Sequence, residues 1–303
     1  VQLLAAGHGV KLSLAGFFQM PHAAEGFSHR VAHHQGAMVA LQTLNRTNSD
    51  LEKTQNAIST GLKVASAKDN GAIWAIGNKL RSDVVAYDRV RESNDRASSI
   101  LDTAIAAGES IMELLNEMKG KALAGSLAGN STAAQAALAA DFLQLRDQIT
   151  NVVANSSFDG ANMISATPSS AVSLGDAAGT AGNNITITGI SLALSSTTIP
   201  VTATSALDTT ANSTTALGFV NTSITNLGTQ LATWGAGARR LEVHKTFVGK
   251  LQDALTNGIG SIVDADLAKE SAKLQALQVK QQLGVQALSI ANTSSASALS
   301  LFR

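Results

Sequence analysis

Few residues in this chain could do chemistry. His29 and His33 stand four apart, a spacing that would set two imidazoles on one helix face as a metal pair. No carboxylate completes a His-Glu-x-x-His pattern. Five of the six histidines (His8, His22, His29, His33 and His34) crowd the same first 35 residues, so they read as incidental. Asp264 and Asp266 could form an acid/base pair, but the first turn of a helix attracts carboxylates through its dipole, and that reading is preferred. Gly258-x-Gly260 has no third glycine and no strand before it, so it is not a dinucleotide fingerprint. There is no Gly-x-Ser-x-Gly elbow, phosphate loop or Cys/His cluster. The expectation is a protein without catalytic, cofactor or metal site, hence a structural one.

Composition agrees with that expectation. Of 303 residues 45% are hydrophobic, but much of this is alanine, and aromatics are only 4%. Such a chain packs Leu, Ile, Val and Ala along helices, and three prolines leave those helices free to run long. The formal net charge is zero, which draws the chain neither to nucleic acid nor to an anionic membrane. Without cysteine there is no disulfide or thiolate chemistry. No run of 18 apolar residues suggests a membrane span. A cleaved signal peptide over the Leu12 to Phe18 patch is disfavoured, because no positive charge precedes Lys11.

The elements follow from periodicity. Over 36–62, Leu44, Leu51 and Ile58 share one heptad position, and Leu41, Asn48, Gln55 and Leu62 share another. Gly61 supplies a left-handed helix end, and Ser66 with Asp69 makes a capping box at a new start, so 58–72 is a hinge between two long helices. The second helix is expected from about Asn70 to Leu123. Its seam runs through Leu80, Tyr87, Asn94, Leu101, Gly108 and Leu115, with Ser98, Ile105 and Met112 between. Its charged segment from Arg81 to Arg96 is either a solvated face or a set of pairs with neighbouring chains. A third helix covers 133–154. From 166 to 215 charge almost vanishes and Ser, Thr, Ala and Gly dominate; 184–188 and 199–204 alternate as short strands. A fourth helix starts near Thr215 and is interrupted at Gly258 and Gly260. Ser261 and Asp264 cap the last, in which Leu267, Leu274, Leu277, Leu288 and Ala291 fall at heptad positions. The fold class is mainly α: a long antiparallel helical hairpin or coiled-coil bundle formed by the two chain ends, with a small β-rich inserted segment.

Ser59-Thr60-Gly61-Leu62-Lys63-Val64, followed by Ser66 to Ala72, resembles the N-terminal signature of bacterial flagellins. Ile262 to Glu270, around Val263-Asp264-Ala265-Asp266, resembles their C-terminal motif, and Leu301-Phe302-Arg303 their Leu-Leu-Arg ending. The resemblance divides the chain into an atypical lead-in (1–35), an N-terminal core half (36–165), a variable insertion (166–215) and a C-terminal core half (216–303). It implies a secreted subunit, exported through the flagellar apparatus, that polymerises with other flagellin copies into the filament at the cell surface and serves motility. Flagellar export and cap or junction proteins are further partners it implies. The polymerisation seam would be Leu41, Leu44, Leu51, Ile58 and Leu62 with Leu267, Leu274, Leu277 and Leu288, and the hinge Gly61, Ser66 and Asp69. The insertion is expected to be dispensable for the scaffold. Two alternatives are a surface flagellin homologue binding polysaccharide and a secreted hydrolase with an inserted β domain. The absence of Phe, Trp and Tyr from 165–215 weighs against a sugar site there.

Overall fold

The computed structural model describes residues 22–300 except 181 and 203–205, and side chains from Gly36 onward except 292 and 294–300. The Leu12 to Phe18 patch, the His29/His33 side chains and the last three residues lie outside this. The described residues form α1 (His22–Thr60), α2 (Gly71–Gly125), α3 (Thr132–Asn155), β1 (Ala171–Ser173), β2 (Ile185–Ile187), α4 (Thr210–Val263) and α5 (Leu267–Ser300). The chain divides into two compact units, one of Val1–Trp74 with Val263–Arg303 and one of Ala75–Ile262. Each is built from residues far apart in sequence.

In the 75–262 unit, the buried residues of α2 repeat without a break. Asn94, Leu101, Gly108, Leu115 and Ala122 alternate with Ala97, Ala104, Ile111, Met118 and Gly125. This is a heptad seam. The second row lies one residue before Ser98, Ile105 and Met112, where the sequence placed it. Ala97 and Ala104 add little hydrophobic signal, yet their small size lets a partner helix approach. At Gly108 and Gly125 the approach is close, since an added Cβ would sit 2.8 Å from Leu231 Cδ2 and 2.6 Å from Ser213 Oγ of α4. Phe142 and Ile149 of α3 and Leu227, Trp234 and Leu241 of α4 complete this core. Two buried polar side chains inside it, Asn94 and Gln135, are paired. Asn94 Nδ2 donates to the Leu241 carbonyl at 3.1 Å. Gln135 Nε2 reaches the Gly125 and Leu207 carbonyls at 3.1 and 2.6 Å.

The charged segment of α2 pairs mostly within the chain. Arg89 meets Glu92, Arg96 meets Asp159 and Asp95 meets Lys245, at 2.7, 2.7 and 2.6 Å. Gln252 is buried between Arg91, which donates to its Oε1, and Asp88, which accepts from its Nε2. Within one chain these residues are thus partnered.

The insertion differs from its sequence reading. Strand β2 falls inside the expected 184–188, and it pairs antiparallel with β1, which the sequence did not signal, in the register Val172↔Thr186. Residues 199–202 are not a strand. Pro200 cannot donate to a ladder, and the Ile199 amide donates to Ser196 Oγ instead. Their alternation is a burial pattern: Ile199 and Val201 are completely buried. Ile185, Ile187, Leu192 and Leu207 join the same core, and Trp234 Nε1 donates to the Thr188 carbonyl at 3.2 Å. The 166–215 segment is part of the core and not a detachable addition. Two smaller corrections concern α4 and α5. Helix α4 runs through Gly258 and Gly260 without interruption to Val263. The cap of α5 is Asp266, whose Oδ1 accepts from the Lys269 amide at 3.1 Å, while Ser261 Oγ turns back to the Gly258 carbonyl.

Candidate assembly surface

The surface of interest lies in the unit of the two chain ends, where α1 and α5 pack antiparallel. Three points fix their register. An added Cβ on Gly284 would lie 3.2 Å from Leu44 Cδ1. Gln281 Nε2 donates to Asn48 Oδ1 at 2.8 Å. Leu62 and Asp264 form a β-bridge. The inward row of α1 is Ala37, Ala40, Leu44, Thr47, Leu51, Thr54, Ile58 and Gly61, with Thr47 and Thr54 the most buried. Ala37, Leu44, Leu51 and Ile58 therefore hold one seam position, but Ala40, Thr47, Thr54 and Gly61 hold the other, one residue before the expected Leu41, Asn48, Gln55 and Leu62. The inward row of α5 is Glu270, Leu274, Leu277, Gln281, Gly284, Leu288 and Ala291. A half-buried Asn–Gln pair across such a seam costs stability but fixes register, since sliding by a turn would leave both amides unpaired.

The expected seam residues divide by exposure. Leu277 is buried. Leu44, Leu51, Ile58, Leu62, Leu274 and Leu288 are half-buried, and Leu41 and Leu267 are exposed at 48% and 51%. Around them Met38, Val39, Val279, Leu283, Val285 and Ile290 are all more than half exposed. Two helices alone cannot cover apolar residues on more than one stripe each. The pair thus leaves large side chains outward on both helices. Sequence reasoning missed Thr47, Thr54, Gln281 and Gly284, because small and polar residues carry no hydrophobic period.

Thr54 Oγ1 is buried and has no hydrogen-bond partner, whereas Thr43, Thr47 and Thr60 donate to carbonyls four residues back. An unmet buried hydroxyl costs about 1–3 kcal/mol. Thr54→Val is therefore expected to stabilise this unit by about 1 kcal/mol, read as a raised melting temperature. A lowered one would mean the hydroxyl is satisfied.

The hinge is a clasp between chain ends. Gly61 has φ 71° and ends α1. The amides of Lys63 and Val64 donate to the Val263 carbonyl at 2.7 and 3.3 Å, and the Ala265 amide donates to the Gly61 carbonyl at 2.9 Å. The loop at 61–64 is thereby tied to the α4–α5 junction. Asp69 Oδ2 accepts from the Ser66 amide at 2.9 Å and from Ser66 Oγ at 3.1 Å. The Ser66 amide and then its hydroxyl hold the Asp69 carboxyl below its ordinary value. With a depressed value, the contribution of this turn is present above the ordinary carboxylate range and lost as pH falls through the folded value. The pair closes a turn and does not cap α2, whose cap is Asn70, with Oδ1 accepting from the Ile73 amide at 3.1 Å. Space beside Gly61 is open, so Gly61→Val acts through backbone strain alone. It is expected to cost about 1–2 kcal/mol and lower the melting temperature; an unchanged melt would contradict the left-handed end.

Asp264 and Asp266 are exposed, one in the clasp backbone and the other at a helix cap. Among the described residues no group of three or more His, Cys, Asp or Glu could hold a metal ion. The comparisons with known proteins decide what this surface belongs to. A model of the bacterial flagellin N-terminal helical region matches residues 31–169, and one of the C-terminal helical region matches residues 217–302. The chain belongs to the bacterial flagellin family. Flagellin FljM of Caulobacter vibrioides is 48% identical to this flagellin over 268 residues, covering 88% of this chain and 96% of that protein. The flagellin of Brucella melitensis is 37% identical over 276 residues, with 88% and 96% covered. The crystal structure of Bacillus cereus flagellin has a TM-score of 0.45 and 23% identity, over 52% of this chain and 88% of that one. This flagellin is a structural subunit of the filament, and the polysaccharide-binding alternative finds no support among these relatives. No helix among the described residues is long and apolar enough to cross a membrane.

Proposed function

We propose that this flagellin polymerises through α1 and α5 into the flagellar filament outside the cell, after passage through the flagellar export apparatus, with cap and junction proteins as further partners. Residues 36–165 and 216–303 act as the two helical core halves and 166–215 as the variable segment. Gly61, Ser66 and Asp69 hold the change of direction, and Leu41, Leu44, Leu51, Ile58, Leu62, Leu267, Leu274, Leu277 and Leu288 contribute to the polymerisation seam. The observation that carries this reading is the exposure of Met38, Val39, Leu41, Val279, Leu283, Val285 and Ile290 on a two-helix pair. Further copies would remove those side chains from water, at about 25 cal/mol per Å² of apolar surface. A contact that repeats head-to-tail without closing generates a filament. The role is mechanical and not catalytic. Adding short filament fragments to the purified full chain is expected to give long fibres by electron microscopy. A folded chain that fails to elongate them would overturn the reading.

A further inference from the structure

We propose that the outward face of α4 from Arg239 to Lys250 docks against an acidic row on α2 of a second copy of this chain, a salt-dependent contact additional to the terminal helices. The inference rests on the polymerisation reading above. Val243 and Phe247 lie one turn apart on α4 and are 70% and 58% exposed. Aromatic side chains beside arginine are typical of the energetic centre of protein interfaces. Arg239 and Arg240 precede this pair and Lys250 follows it. All three are exposed, and none makes an ion pair among the described residues. The intervening basic groups are engaged, Lys245 with Asp95 and His244 with the Leu174 carbonyl. One carboxylate, Glu242, lies among them, so the face is net positive.

The complementary feature is on α2. Glu109, Glu113 and Glu117 recur every fourth residue, all exposed and without an ion pair among the described residues. Like charges at this spacing repel and weaken a helix by a few tenths of a kcal/mol per pair. Opposite charge brought by another molecule would reverse that sign. Several other carboxylates of the same unit (Asp83, Glu92, Asp95, Asp141 and Asp159) have cationic partners within the chain. Three unpaired cations around an exposed apolar pair and three unpaired carboxylates in a row thus match in sign and number. They do not meet within one copy.

The test is seeded elongation at about 50 mM and about 150 mM salt, where screening differs. The chains are the wild type, Arg239→Glu/Arg240→Glu, Glu113→Lys/Glu117→Lys, and the combination of all four. Each reversal is expected to slow elongation about tenfold or more at the lower salt. The combination is expected to return to within about threefold of wild type, and the wild-type rate to fall with salt. Arg239→Gln/Arg240→Gln, which removes charge without adding any, should slow elongation in the same direction and keeps the test decisive if the reversal misfolds. Either reversal elongating at the wild-type rate, or a folded combination as slow as its parents, would overturn this contact. A wild-type chain that does not elongate at all would overturn the polymerisation reading, and this contact with it.

Discussion

Removing Ala265 to Arg303 is expected to abolish elongation while the 75–262 unit stays folded. The deletion takes away α5 and with it the cover over Leu44, Leu51 and Ile58. It also removes the Asn48–Gln281 hydrogen bond and the bond from the Ala265 amide to the Gly61 carbonyl. What remains of α1 is a helix whose most buried residues were threonines, and isolated helices of that kind are marginal in water. The other unit ends at Ile262, and its last completely buried apolar residues are Leu241 and Val248, so the deletion takes none of its core. Circular dichroism should show α2, α3 and α4 retained, while seeded growth should be absent. Normal filaments from the truncated chain would sink the proposal that α5 is part of the assembly surface.

Replacing residues 170–210 by a short Gly/Ser turn is expected to unfold the 75–262 unit or lower its melting temperature drastically. Ile185, Ile187, Leu192, Ile199, Val201 and Leu207 are all at most 8% exposed. Burying each such side chain contributes about 1.5–3 kcal/mol, so the six together supply on the order of 10 kcal/mol. The deletion also removes the ordering cost of the segment itself, which offsets part of that loss. It does not offset what is uncovered: Trp234, completely buried, loses its packing against the segment and the Thr188 carbonyl that takes its indole proton. Gln135 likewise loses the Leu207 carbonyl. A domain of ordinary stability, about 5–15 kcal/mol, would not survive losses of this size. An unchanged melt would show that the insertion merely lies on the surface.

The helices were legible because long heptad rows of Leu, Ile and Val announce themselves, and the return of the two ends to each other followed from stripes with no local core. Partner positions within the seams were not legible, and the error was the same in α1 and α2. In each, the large or polar residues four after the leading position (Asn48, Gln55, Ser98, Ile105) were preferred over the small ones three after it (Thr47, Thr54, Ala97, Ala104). Small residues are chosen by how closely two helices approach, which is a property of the pair and not of one stripe. The insertion misled for a related reason. Its Ser, Thr and Gly content resembles a linker, while Ile185, Ile187, Leu192, Ile199, Val201 and Leu207 are placed inward in the core that holds Trp234, with Val172 left exposed. Clasp bonds from 61–64 to 263–265 join residues about 200 apart and use backbone groups, which leave no trace in side-chain pattern. Of the seam between α1 and α5, Leu44, Leu51, Ile58, Leu274, Leu277 and Leu288 could be read from spacing. The outward position of Leu41 beside Met38 and Val39 could not.

The account's central claim is that the chain ends carry the polymer contacts, and limited proteolysis of monomer and filament side by side tests it most directly. Residues 36–60 and 270–303 are predicted to be cleaved in dilute monomer and protected in the filament, with 75–262 resistant in both. Equal cleavage of the two ends in monomer and filament would contradict it.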